Sequence, residues 1–231
     1  LRIGRLLAAR TAAEAIEENV FEIVSQLNRG AALITAVEER EKVAELNLLA
    51  GRRAKVATAF AMALAHFRAG EAMLEEDRFA RHYALSFSLA LHRAECEFLT
   101  GEQAAAKTRL AELAGHATTL PDLAAVTRLQ MEPNDRDVEV GLSYLRRVGI
   151  AWSAQPTSEE VAQEYERMWR QIGERPIEAL LDLPQMADPV ACGTMDVLTV
   201  LVSPAWYIEE NLRRLIIARM ANLSLEYGNS D

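Results

Sequence analysis

Two segments of this chain repeat one pattern at a distance of fifty residues. They are Ala44-Glu45-Leu46-Asn47-Leu48-Leu49-Ala50-Gly51 and Ala94-Glu95-Cys96-Glu97-Phe98-Leu99-Thr100-Gly101, with a looser echo in ALAHFRAG at 63–70. Each is an apolar helical stretch that reaches a small residue and then glycine. Small residues let paired helices touch, and a glycine at the corner lets the chain turn back. One such hairpin cannot cover its own apolar face, so neighbouring hairpins must stack. The pattern therefore predicts an all-α chain of tetratricopeptide-like stacked helix hairpins, an α-solenoid without a sheet. A compact helical bundle is the alternative, because the bulky aromatic expected early in a tetratricopeptide unit is mostly missing.

Start and stop signals divide the chain into helices. Thr11 with Glu14, Thr35 with Glu38 and Thr157 with Glu160 have capping-box spacing. Ile16, Val20, Ile23, Val24 and Leu27 mark one helical face, and Gly30 ends it. Further helices are expected over 35–51, 53–69, 79–100, 103–114, 121–131 and 135–148, with Pro121 in a first turn. The stretch 149–156 breaks the pattern, so 1–150 reads as repeats and 151–231 as a proline-punctuated continuation of the same solenoid. Asp188 before Pro189 is a good helix start, and a last helix is expected over 207–227. The helix over 121–131 is short for a hairpin partner of 135–148, which suggests residues absent at a join near Met131–Glu132. The opening at Leu1 and the ending at Gly228-Asn229-Ser230-Asp231 suggest a fragment of a longer protein.

Charge narrows the partners. The net charge is −9, with 26% charged residues. Nucleic-acid affinity draws on Lys/Arg–phosphate contacts and anionic membranes attract basic segments, so neither partner is expected. No apolar stretch is expected to reach the roughly 18 residues of a spanning helix. The two cysteines, Cys96 and Cys192, show no disulfide framework, which points to a reducing, cytoplasmic setting.

Chemistry is sought and mostly not found. No GxxxxGK[ST] loop, GxGxxG turn, GxSxG elbow or HExxH helix occurs. No catalytic, cofactor-binding or metal-binding residue is expected. His92 and Cys96, four apart, could share a metal, but structural zinc needs four ligands, and a buried cysteine in a repeat seam is the simpler reading. The pairs Glu38/Glu39, Glu75/Glu76, Glu159/Glu160 and Glu209/Glu210 sit where first turns and solvated faces explain them. Tyr165 and Trp169 share a helical face and, with Trp206 and Tyr207, are the candidate interaction surface; packing between repeats is the competing use. Arg213, Arg214 and Arg219 form a mild basic stripe, read as salt-bridged surface.

Several segments together resemble one family: IGRLL at 3–7, FEIVSQLNRG at 21–30, AELNLLAGRRAK at 44–55, AECEFLTGE at 94–102, VEVGLSYLRRVGI at 138–150, RPIEALLDLP at 175–184, MDVLTVL at 195–201 and NLSLEYGNSD at 222–231. The chain resembles the helical-repeat region of very large bacterial multi-sensor signalling kinases. In these a serine/threonine-kinase-like domain and a STAND-type ATPase precede the repeats, and a GAF sensor and histidine-kinase module follow in many members. RPIEALLDLP and NLSLEYGNSD are the most specific parts, since generic repeat packing does not require them. The family pattern has additional residues between the Leu129 region and Asp135, in line with the suspected join. The resemblance implies a non-catalytic regulatory module that binds other domains of its parent or a peptide effector. A passive spacer between ATPase and kinase is one alternative, and the sensor region of a LuxR-type STAND transcription regulator is another. An exposed solenoid end also predicts a possible homodimer.

Overall fold

A computed structural model describes residues 1–131 and 138–230, apart from the side chains of Ala13 and Glu14. The expected join at Met131–Glu132 and the start of the helix expected from 135 fall in part on 132–137, outside the described residues. Among the described residues the chain is all-α, with twelve α-helices, two 3₁₀ segments and no strand. It divides into two compact units, Leu1–His116 and Ala117–Asp231, ahead of the break at 149–156.

The first unit contains α1 (Arg2–Arg10), α2 (Ala13–Asn28), α3 (Val37–Val56), α4 (Phe60–Met73), α5 (Arg78–Arg81), α6 (Tyr83–Leu99) and α7 (Gln103–His116). Helices adjacent in sequence pack on one another from α1 through α4, and α4, α6 and α7 continue the series. The apolar face expected on α2 is real: Val20, Ile23, Val24 and Leu27 are buried, together with Val43, Leu46, Leu64 and Phe67.

The two copies of the repeat end differently. Gly101 (φ 87°) closes α6 in a Schellman turn: the Glu102 amide bonds the Glu97 carbonyl and the Gly101 amide that of Phe98. Gly51 does not end a helix, contrary to the sequence reading. It lies inside α3, which runs five residues further, to Val56. A Cβ at Gly51 would overlap the ring of fully buried Phe67 on α4, so the missing side chain serves helix contact. Gly70 lies inside α4 for the same reason, against Leu89. The turn that ends α3 places Thr58 at the left-handed position (φ 56°), where glycine is favoured; the amides of Ala59 and Thr58 bond the carbonyls of Ala54 and Lys55.

The second unit contains α8 (Leu120–Gln130), α9 (Glu139–Arg147), α10 (Ser158–Ile172), α11 (Pro189–Ile208) and α12 (Glu210–Tyr227). Helix α11 is its centre and packs on α8, α9 and α12. It is 20 residues long and apolar enough to cross a membrane by length and composition, which corrects the expectation that no such stretch exists. Its inner face, including Met195, Leu198 and Leu201, is buried in the unit's core, as in the core helix of a globular domain. It also continues through Trp206 and Tyr207 to Ile208, so the last helix begins at Glu210 and not near Tyr207.

Caps sort the helix starts. Thr157 and Glu160 form the full reciprocal capping box of α10, with the Glu160 amide donating to Thr157 Oγ1 (3.2 Å) and the Thr157 amide to Glu160 Oε2 (2.7 Å). Asp188 accepts from the Ala191 amide at 2.7 Å with Pro189 next in line. Thr35 caps nothing, because α3 starts one residue later than the pattern suggests, with Ala36 as its N-cap. At α2 the N-cap is Ala12, and the Thr11 hydroxyl donates back to the Leu7 carbonyl at 2.7 Å; the side chain of Glu14 is outside the described residues.

Candidate functional site

Helices α10 and α12 run side by side in the same direction. Asn211 at the start of α12 donates to the Pro156 carbonyl just ahead of α10 (3.2 Å). Midway, Asn222 Nδ2 donates to the Glu164 carbonyl (3.0 Å) and to Glu164 Oε1 (2.8 Å), and Arg219 pairs with Glu164 (3.4 Å). Near the ends, Gln171 donates to Asn222 and Glu226, and Arg167 pairs with Glu226 at 2.5 Å. Polar contacts mark this seam at three levels, and between Asn211 and Asn222 the same face of α12 carries Leu215 and Ala218, each 1% exposed. No α10 residue belongs to the unit's main apolar cluster, and its buried apolar side chains are Val161 and Ile172.

This arrangement places the four aromatics picked from the sequence. Trp169 stands on α10 with 57% of its surface exposed, and Tyr165, one turn earlier, is half-buried. Trp206 (64% exposed) and Tyr207 (69%) lie in the last turn of α11, and the Arg213 guanidinium sits 4.4 Å from the Trp206 ring centre. Trp169 is level with residues 222–226 of α12, whereas Trp206 is level with Arg213. At 1.5 Å per residue the two indoles are separated by about 15 Å along the α12 axis. Trp169 and Trp206 are thus exposed at two separate places, on α10 and at the end of α11. The basic stripe is ion-paired as expected: Arg214 meets Glu210 at 2.6 Å, Arg213 meets it at 3.8 Å, and Arg219 meets Glu164.

The two segments that generic repeats do not need meet in space. After α10 the chain forms a 3₁₀ segment, Ile177–Asp182. The Asn229 amide donates to the Pro184 carbonyl (2.8 Å), the Met186 amide to the Asn229 carbonyl (2.8 Å), and Asn229 Nδ2 to the Leu180 carbonyl (2.9 Å). Gly228 (φ 103°) makes this clasp possible, because a Cβ there would overlap the Pro184 carbonyl oxygen. RPIEALLDLP and the end of NLSLEYGNSD are therefore two sides of one joint.

In the first unit the informative charges are ones the sequence reading passed over. Glu97, fully buried, takes a two-point contact from Arg109 (3.0 and 3.1 Å) and a third bond from Arg93 (2.9 Å). Arg93 also bonds Glu71 at 2.5 Å, and Glu71 is 4% exposed. Burial pushes the Glu97 carboxyl up, but Arg109 and Arg93 outweigh it and hold it below the ordinary value. The network ties α4, α6 and α7 together. The signal that could have found it is a Glu or Arg on the apolar stripe of each helix: Glu71, Arg93, Glu97 and Arg109.

His92 and Cys96 share a helix face, but their surroundings differ. His92 Nε2 accepts from Arg52 (3.1 Å), and its Nδ1 lies 3.2 Å from Lys55 Nζ. Glu95 is held down at about 2, with the neighbouring His92 ring as the largest cause and Lys55 next. By geometry Lys55, at 2.7 Å, is the stronger partner, since His92 is 3.7 Å away. Cys96 is buried and its thiol is pushed up to about 11 by that burial, which suits packing rather than reaction. Among the described residues no three His, Cys, Asp or Glu side chains gather as a metal site. Of the carboxylate pairs, Glu39 meets Arg5 at 2.6 Å, Glu75 meets Arg81 at 3.0 Å, and Glu160 and Glu209 serve as helix-start acceptors.

Comparison with known proteins gives one informative likeness. The chain is 22% identical over 247 residues to a protein described as hybrid signal transduction histidine kinase G of Dictyostelium discoideum, and 92% of this chain takes part. The chain spans 7% of the length of that relative. No family profile matches the chain. No solved structure matches it either. The likeness is that of a helical segment to part of a signal-transduction protein.

Proposed function

We propose that this chain is a non-catalytic regulatory and protein-interaction module of a cytoplasmic signal-transduction kinase, built from tetratricopeptide-like helix pairs and working beside a STAND-type ATPase. The observation that carries the reading is the likeness to a signal-transduction histidine kinase along nearly the whole chain, at a small fraction of that protein's length. The resemblance of RPIEALLDLP and NLSLEYGNSD to the repeat region of multi-sensor kinases supports the finer assignment. Paired helices present side chains on a fixed frame, and a partner that prefers one frame biases the two states of a switch. Trp169 on α10 is the foremost contact residue in this reading, with Trp206 and Tyr207 at the end of α11 as a second spot.

The test uses the longer protein that carries this chain. Autophosphorylation is measured for the parent and for Trp169→Ala and Trp206→Ala, with circular dichroism to confirm that helix content is kept. A several-fold change in rate, up or down, is the expected outcome. Unchanged rates in both folded variants would leave the chain as a passive spacer.

A further inference from the structure

Beneath α1 the first unit holds an apolar cavity of about 300 Å³ that opens to solvent. Its origin is legible in the residues. Helix α1 approaches the rest of the unit closely at Gly4, where a Cβ would stand 2.9 Å from Leu27, and Leu1 packs against Gly30. About one turn later α1 offers the methyl groups of Ala8 and Ala9, facing Ile16 and Ile23 of α2 and Val43 and Leu46 of α3. A helix held close at one end by glycine and lined with alanine further on leaves a gap that no described side chain of this unit fills. Its size is the lower bound of ordinary small-ligand sites, about ten water volumes at ~30 Å³ each.

The mouth is charged. Arg5, Glu39 and Lys42 stand there. Glu39 holds Arg5 in a two-point contact at 2.6 and 2.7 Å. Among the described residues Lys42 pairs with Glu45, at 2.8 Å, and both side chains are more than half exposed, so that pair exchanges readily with another anion. Helix α1 adds Arg2 and Arg10 and contains no acidic residue. A neutral apolar ligand would leave the exposed Lys42 ammonium without use, and a dianion would meet Glu39.

We propose that the cavity beneath α1 binds an amphiphile with one carboxylate, its aliphatic tail among Ala8, Ile23 and Val43 and its carboxylate on Lys42 at the mouth beside Arg5. A tail of about ten heavy atoms matches the volume, each atom displacing roughly one water. The site stands on the first unit alone and does not depend on the regulatory reading above.

The test is titration of the purified chain with decanoate, below its micelle concentration, and with decanol as the uncharged probe. Decanoate is expected to shift the methyl resonances of Ile16, Ile23 and Val43 in the unaltered protein, a readout that needs no variant. Calorimetry is expected to show Lys42→Met weakening decanoate about tenfold while leaving decanol unchanged, and Ala8→Phe weakening both at least tenfold with helix content kept. Decanoate shifts spread over surface methyls, or no shift at all, would overturn the site. Equal binding of decanol and decanoate, untouched by Lys42→Met, would overturn the carboxylate assignment. Shifts confined to a foreign apolar peptide helix, with decanoate silent, would make the cavity a helix-docking groove and overturn the small-ligand reading.

Discussion

Replacing Glu97 by Ala should lower the stability of the first unit by about 3–5 kcal/mol. The carboxylate is fully buried, and three hydrogen bonds from Arg93 and Arg109 end on it. Those arginines are themselves only 22% and 15% exposed, and the substitution leaves Glu71, 2.5 Å from Arg93 and 3.8 Å from Arg109, to offset both, so one positive charge goes uncompensated in a poorly solvated place. Removing one partner of a buried pair costs far more than the pair contributes, because the charge left behind is uncompensated. At about 4 °C per kcal/mol for a unit of this size, the unit should melt about 12–20 °C lower. Glu97→Gln keeps shape and part of the hydrogen bonding and should lose less. The assay is urea unfolding followed by circular dichroism, with hydrogen exchange in α4, α6 and α7 to assign the transition. Acidity supplies a second check. Because the folded carboxyl is held below its unfolded value, its contribution is complete above about pH 4.3 and is lost as pH falls through the lowered folded value. The gap between parent and Glu97→Ala should therefore narrow on acidification. A loss under about 1 kcal/mol at neutral pH, or a gap that widens in acid, would refute the argument.

Other outcomes follow from the same contacts. Thr58→Gly should stabilise the first unit by about 1 kcal/mol in a urea melt, since it relieves a β-branched residue at positive φ. Gly115→Ala, where a Cβ meets open space within α7, should gain up to about 1 kcal/mol, whereas Gly51→Ala should be destabilising by about 1–2 kcal/mol after that gain is subtracted, because its Cβ overlaps the Phe67 ring. Gly228→Ala should break the clasp and speed exchange of the Met186 and Asn229 amides by at least about tenfold, equivalent to ~1.4 kcal/mol. Stability linked to Glu95 should fall between about pH 4.3 and about 2, and Lys55→Met should raise the lower edge of that window and shrink the contribution.

The sequence made the helices legible and misplaced some of their ends, for a reason that lies in glycine itself. Gly51 and Gly101 close two copies of one motif, yet one is a helix stop and the other a contact point for Phe67. A lone glycine carries both meanings, and only the partner helix decides between them. Thr58, which does end α3, has no local signature because a threonine at that position is tolerated strain. Asp188 and Thr157 were readable because a cap is a contact within four residues. Asn222 with Glu164 was not, since the pair joins positions 58 residues apart and looks like solvated surface until the helices meet, whereas Glu71 with Arg93, 22 apart, leaves a trace as charges set on apolar stripes. The exposure of Trp169 and Trp206 was equally out of reach: an aromatic at helical spacing fills a core as readily as it lines a surface.

The seam under α10 has a calorimetric consequence. Newly hydrated apolar surface raises the heat capacity by ~0.45 cal/K/mol per Å², and newly hydrated polar surface lowers it by ~0.26. Lifting α10 from α12 uncovers Glu164, Gln171, Arg219 and Asn222 together with the apolar Val161, Ile172, Leu215 and Ala218, so the two contributions partly offset each other. The event would have a small heat-capacity change for the area it exposes, so its enthalpy would vary little between about 10 °C and 40 °C. It would still respond steeply to dissolved salt, which weakens the ion pairs holding the helix down.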